Sequence, residues 1–260
     1  MSTWRQAYSA LPRPTLFGHR GSRTSAPENT LAAFRIAAAD GADAIELDVR
    51  PSKDGELMVM HDPTLERTAS DPRAVHALTV AELARVRVGG SERVPTLAET
   101  LTLCRELGLG LNVELKRDVP SRTRAVQSAA RTLKRSAVGL PVIVSSFDPL
   151  MLLAFRVLAP AIPTALLVEP DSVARYRLDR AARYLGVAIH ADQKLVGSEA
   201  VARWHAQGLR VAVWTVNDAA TVTELCRIGV DGIISDNPAM ARAAIDAVQG
   251  AGRSPSSSTP

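Results

Sequence analysis

Glu46 and Asp48 stand two residues apart in Ala44-Ile45-Glu46-Leu47-Asp48-Val49, and Asn112, Glu114 and Lys116 repeat that spacing in Leu111-Asn112-Val113-Glu114-Leu115-Lys116. Successive side chains of an extended strand face opposite ways, so the polar residues of each run share one face and the aliphatic residues the other. On an antiparallel sheet each run would be an ordinary half-exposed strand. In a parallel barrel both faces are covered, and the polar face looks into the lumen. Three buried carboxylates with one lysine carry more negative charge than an interior tolerates unaided. Salt bridges to lumen arginines would relieve it. So would one hard divalent cation, Mg2+ or Ca2+, held by Glu46, Asp48 and Glu114.

Two histidines end apolar runs, in His19-Arg20-Gly21 and His61-Asp62. Imidazoles exchange protons near neutral pH, and phosphoryl transfer needs one proton acceptor and one donor. Arg20 and Lys116 place positive charge where an anionic phosphate would sit. The other histidines have weaker claims: His76 and His205 read as surface residues, whereas His190 ends an apolar run and faces a pocket only if that run is a barrel strand. Cys104 and Cys226 read as small buried hydrophobes of a reducing compartment.

These residues need a frame that brings strand ends together. Eight short apolar runs (15–19, 43–49, 110–116, 141–146, 163–168, 186–190, 210–215 and 230–235) are each followed by a stretch of helical period (29–40, 96–107, 120–136, 148–158, 171–183, 197–207, 218–228 and 237–248). Asn29, Thr96, Asp148 and Asp218 are expected to cap four of the helices. Eight strand–helix units in 260 residues predict a (β/α)8 TIM barrel rather than an open doubly wound sheet. The expected organisation is a single barrel domain over 1–249 and a disordered Ser/Pro tail over 250–260. A small inserted subdomain, about 50–95, follows the second strand, with a turn at Lys53-Asp54-Gly55, a strand-like run at 56–61 and a helical patch at 79–87. An insertion at the strand-end face is expected to cover the site.

Composition narrows the function. The chain is 46% hydrophobic and 22% charged with mean hydropathy +0.03, a globular profile. The formal charge of +4 invites a nucleic-acid reading, but the arginines are spread among acidic residues rather than gathered in a stripe. No apolar run reaches the ~18–20 residues of a membrane span, and the first residues lack the apolar stretch of a secretory signal, so a cytoplasmic protein without stable membrane insertion is expected. No exposed apolar stripe stands out, so a monomer or weak homodimer is expected.

In order along the chain, the motifs resemble those of the glycerophosphodiester phosphodiesterases. The H-R-G…P-E-N-T signature of that family reads His19-Arg20-Gly21 and Pro27-Glu28-Asn29-Thr30. E-x-D-V reads Glu46-Leu47-Asp48-Val49, followed by Lys53-Asp54-Gly55 and His61-Asp62. Leu65-Glu66-Arg67-Thr68 and Pro95-Thr96-Leu97-Ala98-Glu99 come next. Glu114-Leu115-Lys116, Ser145-Ser146-Phe147, Trp214-Thr215-Val216-Asn217 and Asp231-Gly232-Ile233-Ile234-Ser235-Asp236 complete a likeness spanning about residues 15 to 245. The resemblance implies a barrel, a divalent metal on Glu46, Asp48 and Glu114, an acid–base pair in His19 and His61, and phosphate contacts from Arg20 and Lys116. Trp214 would then line the pocket near the glycerol moiety, and Ser146 would do no more than cap a helix. After Arg67-Thr68 the chain departs from the family, with Ala69-Ser70-Asp71-Pro72-Arg73 where a glycine-containing stretch is usual. Pro51-Ser52 is a second departure.

The expected activity is hydrolysis of glycerophosphodiesters to glycerol 3-phosphate and an alcohol, through a cyclic phosphate. A lysophospholipase D or sphingomyelinase D-like activity would need an apolar groove, which residues 65–94 do not supply. A catalytically silent glycerophosphodiester-binding barrel would be expected to have lost a histidine or carboxylate. An aldolase would need a glycine-rich phosphate loop, and none is evident.

Overall fold

A computed structural model of the chain describes residues 14–172, 178–186 and 188–251. Eight parallel strands close on themselves: β1 Thr15–His19, β2 Ala44–Pro51, β3 Gly110–Leu115, β4 Val142–Ser146, β5 Thr164–Val168, β6 Ala188–Asp192, β7 Arg210–Trp214 and β8 Gly232–Ser235. Closure comes from β1, which pairs with β8 on one side (Phe17 with Ile234) and β2 on the other (His19 with Glu46). The helices of the outer ring are α1 Leu31–Ala39, α2 Leu97–Leu107, α3 Arg122–Ser136, α4 Pro149–Leu158, α5 Leu178–Leu185, α6 Ser198–Ala206, α7 Ala219–Arg227 and α8 Pro238–Ala251. This is the (β/α)8 barrel that the eight apolar runs predict.

Alternation decides where each strand residue goes. Ile45, Leu47 and Val49 of β2 and Leu111, Val113 and Leu115 of β3 pack outward in one core with Phe34, Leu97, Leu101 and Leu133 of the helices. Burying each such side chain is worth about 1.5–3 kcal/mol. The lumen has an apolar floor in two groups, Phe17 with Ala44 and Ile234, and Ile143 with Ala165 and Ala188. Beyond the floor lie His190 and its neighbour Asn112, which the β2–β3 register sets level with Glu46, while Asp48 and Glu114 stand one step nearer the strand C-termini.

The connection from β2 to α2 has elements of its own. A strand Leu57–Val59 runs antiparallel along the end of β2, with Arg50 opposite Met58. Two small hairpins and the short helices Glu66–Ala69 and Val80–Leu83 follow, around a separate core that includes Met60, Leu65, Val75 and Leu83. The helix expected over 79–87 is therefore a single turn, because Arg87–Val88 is recruited into a hairpin with Glu92–Arg93.

Thr96, Asp148 and Asp218 cap α2, α4 and α7 as expected, Thr96 in a full capping box with Glu99. Asn29 does not cap α1. Thr30 does, while Asn29 takes φ +58 and sends its side chain to the site. Of the helix expected over 171–183, residues 173–177 lie outside the described residues, as does the expected tail beyond residue 251. The expectation of no exposed apolar stripe is overturned by α4, whose residues are apolar except for Arg156, so that Leu150, Leu153, Val157 and Leu158 are left exposed while Met151, Leu152 and Phe155 are buried.

Candidate active site

Adjacent strands bring the carboxylates together. The β2–β3 register sets Asp48 beside Glu114 and Glu46 beside Asn112, and β1 sets His19 beside Glu46. Glu46, Asp48 and Glu114 are buried and each offers an oxygen within 4.8 Å of the others. Burial, then the charge of Asp48, pushes the Glu114 carboxyl up to about 7 and drives Glu46 well above the usual range. Asp48 goes the other way. Burial would raise it, but Lys116 and Arg20 outweigh burial and hold its carboxyl well below the usual range.

Lys116, one residue past β3, sets its Nζ 2.9 Å from Glu114 and 3.3 Å from Asp48. Arg20 follows β1 in the left-handed conformation (φ 55), which brings its Nε 3.3 Å from Asp48 and its Nη1 2.9 Å from Glu28. Gly21 makes this turn possible. It sits at φ +91, and a Cβ there would lie 2.7 Å from the Ala33 backbone of α1.

Each histidine has a carboxylate behind it. His19 Nδ1 lies 2.6 Å from Asp236 Oδ1, and its Nε2 lies 3.9 Å from Glu46. His61 Nδ1 lies 2.6 Å from Asp62 Oδ1. An ionised carboxylate can only accept, so in both rings Nδ1 donates and Nε2 is left for other work. Burial, only partly offset by Asp48, lowers the His61 pKa. His61 is brought to the cluster by the backbone N–H of Met60, which donates to the Asp48 carbonyl. Arg50 then fixes it, donating from Nε to the His61 carbonyl at 2.8 Å.

The sequence-predicted residues His19, His61, Arg20, Lys116, Glu46, Asp48 and Glu114 therefore converge at the C-terminal mouth of the barrel. Trp214 stands at the same mouth, at the end of β7. It is half-buried, its Nε1 donates to the His190 carbonyl at 2.9 Å, and its ring meets Phe147 edge-on at 5.6 Å. His190 is fully buried in the lumen, and His76 and His205 are exposed, the latter paired with Asp231. Ser146 does more than cap: its Oγ donates to the Leu115 carbonyl and accepts from the Asp148 N–H, joining the ends of β3 and β4.

Sequence reasoning missed the supporting shell. Asn29 donates to Asp48 at 3.0 Å. Glu28 binds Arg20, Arg23 and Arg67, the last reaching over from the insertion while also binding Asp62 within it. Asp236 receives Arg23 and Asn217 in addition to His19. The signals that could have found Glu28, Asn29 and Asp236 were their places inside recognisable motifs.

A closed (β/α)8 barrel with ionisable residues gathered at the strand C-termini is the arrangement of barrel enzymes. Residues 19–240 match the glycerophosphoryl diester phosphodiesterase family, and the chain belongs to it. A glycerophosphodiester phosphodiesterase of Caldanaerobacter subterraneus is 31% identical over 230 residues, covering 86% of this chain and 94% of the relative. YhdW of Bacillus subtilis is 33% identical over 232 residues, with the same coverage. A phosphodiesterase of Oleispira antarctica, solved in complex with the product sn-glycerol-3-phosphate, superimposes with TM-score 0.83 at 30% identity, over 92% of this chain and 99% of its own. The protein is an enzyme of this class, a phosphoric diester hydrolase acting on glycerophosphodiesters.

Proposed function

We propose that this enzyme releases glycerol 3-phosphate from small water-soluble glycerophosphodiesters, with His19 and His61 as its acid–base pair and one divalent cation, Mg2+ or Ca2+, held by Glu46, Asp48 and Glu114. The observation that carries the reading is an imbalance of charge. Three buried carboxylates crowd within 4.8 Å, two of them resist ionisation, and among the described residues the Lys and Arg side chains in contact with them are Lys116 and Arg20. An all-oxygen, carboxylate-rich set suits a hard cation and would ionise fully around one. When bound, such a cation supplies Lewis-acid polarisation of a phosphate oxygen.

The rest of the chemistry is the chain's own. One imidazole Nε2 takes the proton of the glycerol hydroxyl beside the phosphorus as that oxygen attacks. The phosphorus–oxygen bond to the alcohol breaks, and the second imidazole protonates the departing oxygen. Water opens the resulting cyclic phosphate with the two roles exchanged. Arg20 and Lys116 stabilise the anionic phosphate, and Trp214 walls the glycerol side.

The test is release of glycerol 3-phosphate from glycerophosphocholine and glycerophosphoethanolamine, with and without EDTA. Turnover should vanish with chelator and return with Mg2+ or Ca2+. His19→Ala and His61→Ala should each cost at least about 100-fold, and Glu114→Gln should weaken metal affinity. Turnover persisting in EDTA would remove the cation from the reading, and binding without turnover would make the barrel a carrier.

A further inference from the structure

Helix α4 turns an apolar face to solvent as well as one to the core. Met151, Leu152 and Phe155 are buried, whereas Leu150, Leu153, Ala154, Val157 and Leu158 recur at helical spacing along the opposite side, with Leu150 71% and Val157 81% exposed. Val138, in the turn after α3, adds a further aliphatic side chain at 74% exposure. The charged side chains on α3 and α4 themselves have one sign, which overturns here the expectation that the arginines are spread among acidic residues. Arg124, Arg131, Lys134 and Arg135 on α3 and Arg156 on α4 are basic, and neither helix contains an aspartate or glutamate; Arg122, at the start of α3, is instead paired at 2.9 Å with Asp148, the cap of α4. Leu158 shares a shallow surface hollow with Arg131, Lys134 and Arg135, so ridge and basic rim form one continuous face.

We propose that this face docks the enzyme on an anionic lipid bilayer. Aliphatic side chains standing out from a convex helix can enter the boundary between headgroups and acyl chains while flanking Lys and Arg meet anionic headgroups. A second copy of the chain would set two such basic rims against each other, which like charge disfavours. An acidic protein partner would be expected to find aromatic anchors or a deep pocket, and the ridge offers only a row of Leu and Val on a convex surface. No helix among the described residues is long and apolar enough to cross a membrane, so the contact is peripheral. Because α3 and α4 lie on the flank of the barrel, docking leaves the mouth open to soluble substrate.

The experiment is vesicle flotation of the whole chain with equimolar phosphatidylglycerol and phosphatidylcholine, against phosphatidylcholine alone, at low and high salt. Binding should require the anionic lipid and fall with salt. Lys134→Gln with Arg135→Gln should lower the partition coefficient more than about tenfold, since each basic residue near an anionic surface is worth about fivefold. Leu150→Glu with Val157→Glu should do the same, and both double variants should keep wild-type turnover of glycerophosphocholine. If the glutamate pair fails to fold, the glutamine pair decides alone. Absence of binding, equal binding to both vesicles, or glutamine variants that bind like wild type would overturn the proposal. So would a dimer in light scattering that either pair of substitutions dissolves.

Discussion

His19 and His61 owe their orientation to different supports, and the supports predict different sensitivities. Asp236 behind His19 is itself pinned by Arg23 at 3.2 Å and Asn217 at 2.8 Å, whereas Asp62 behind His61 leans on the half-exposed Arg67. Asp236→Asn keeps the shape but removes the charge that keeps the proton on Nδ1, freeing the ring to adopt the other tautomer. We expect kcat to fall about 10–100-fold with KM nearly unchanged, within the usual worth of acid–base catalysis. Asp62→Asn should cost less than Asp236→Asn. Steady-state kinetics on glycerophosphocholine checks both, and equal losses would contradict this account. The primary residues were legible because strand alternation puts Glu46, Asp48 and Glu114 on one face whatever the details. Asp236 lies 217 residues from His19, and no spacing rule spans that distance; only barrel closure through β1 and β8 makes them neighbours.

Among the elements, the strand–helix units were readable from their apolar runs and caps, and errors arose where tertiary demands overrode local signals. Asn29 has the chemistry of a cap, but its side chain is needed at Asp48, so Thr30 caps instead. Helix α4 has no polar stripe from which its solvent side could be read. The His19-Arg20-Gly21 turn shows the same tertiary control and permits a paired prediction. Gly21→Ala meets both a positive φ and the Ala33 backbone at 2.7 Å, while Gly55→Ala, at φ +87, meets nothing within 4 Å. Gly55→Ala should cost only about 1 kcal/mol of stability, the strain of a left-handed alanine. Gly21→Ala should cost several times more, because α1 must also move, and should reduce turnover by displacing Arg20 and His19. Urea denaturation of the two variants measures the difference. Removing the capping box with Thr96→Ala is an ordinary loss by comparison, about 1 kcal/mol.

At the scale of the whole barrel, the lumen couples folding to pH through His190. It sits beyond the apolar floor, fully buried, with Nδ1 3.3 Å from the Asn112 amide nitrogen and the Phe17 ring 6.3 Å away. Burial lowers its pKa to about 3. The folded protein therefore keeps it neutral at pH values where the unfolded chain, with a histidine pKa near 6.5, takes a proton. Between those two values the unfolded state binds the extra proton, so stability rises with pH. The contribution is complete above about pH 6.5 and is lost as pH falls towards 3, at about 1.4 kcal/mol per unit. Glu46 and Glu114 act with the opposite sign: their raised values favour folding below the ordinary carboxylate pKa, and that advantage disappears as pH rises through the folded values. A comparison of wild type with His190→Gln cancels these shared terms. Between pH 7 and pH 4.5 wild type should lose about 2–3 kcal/mol more than the variant in urea denaturation. Parallel pH curves for the two proteins would mean that the lumen admits the proton without unfolding, and that the barrel floor is wetter than its packing implies.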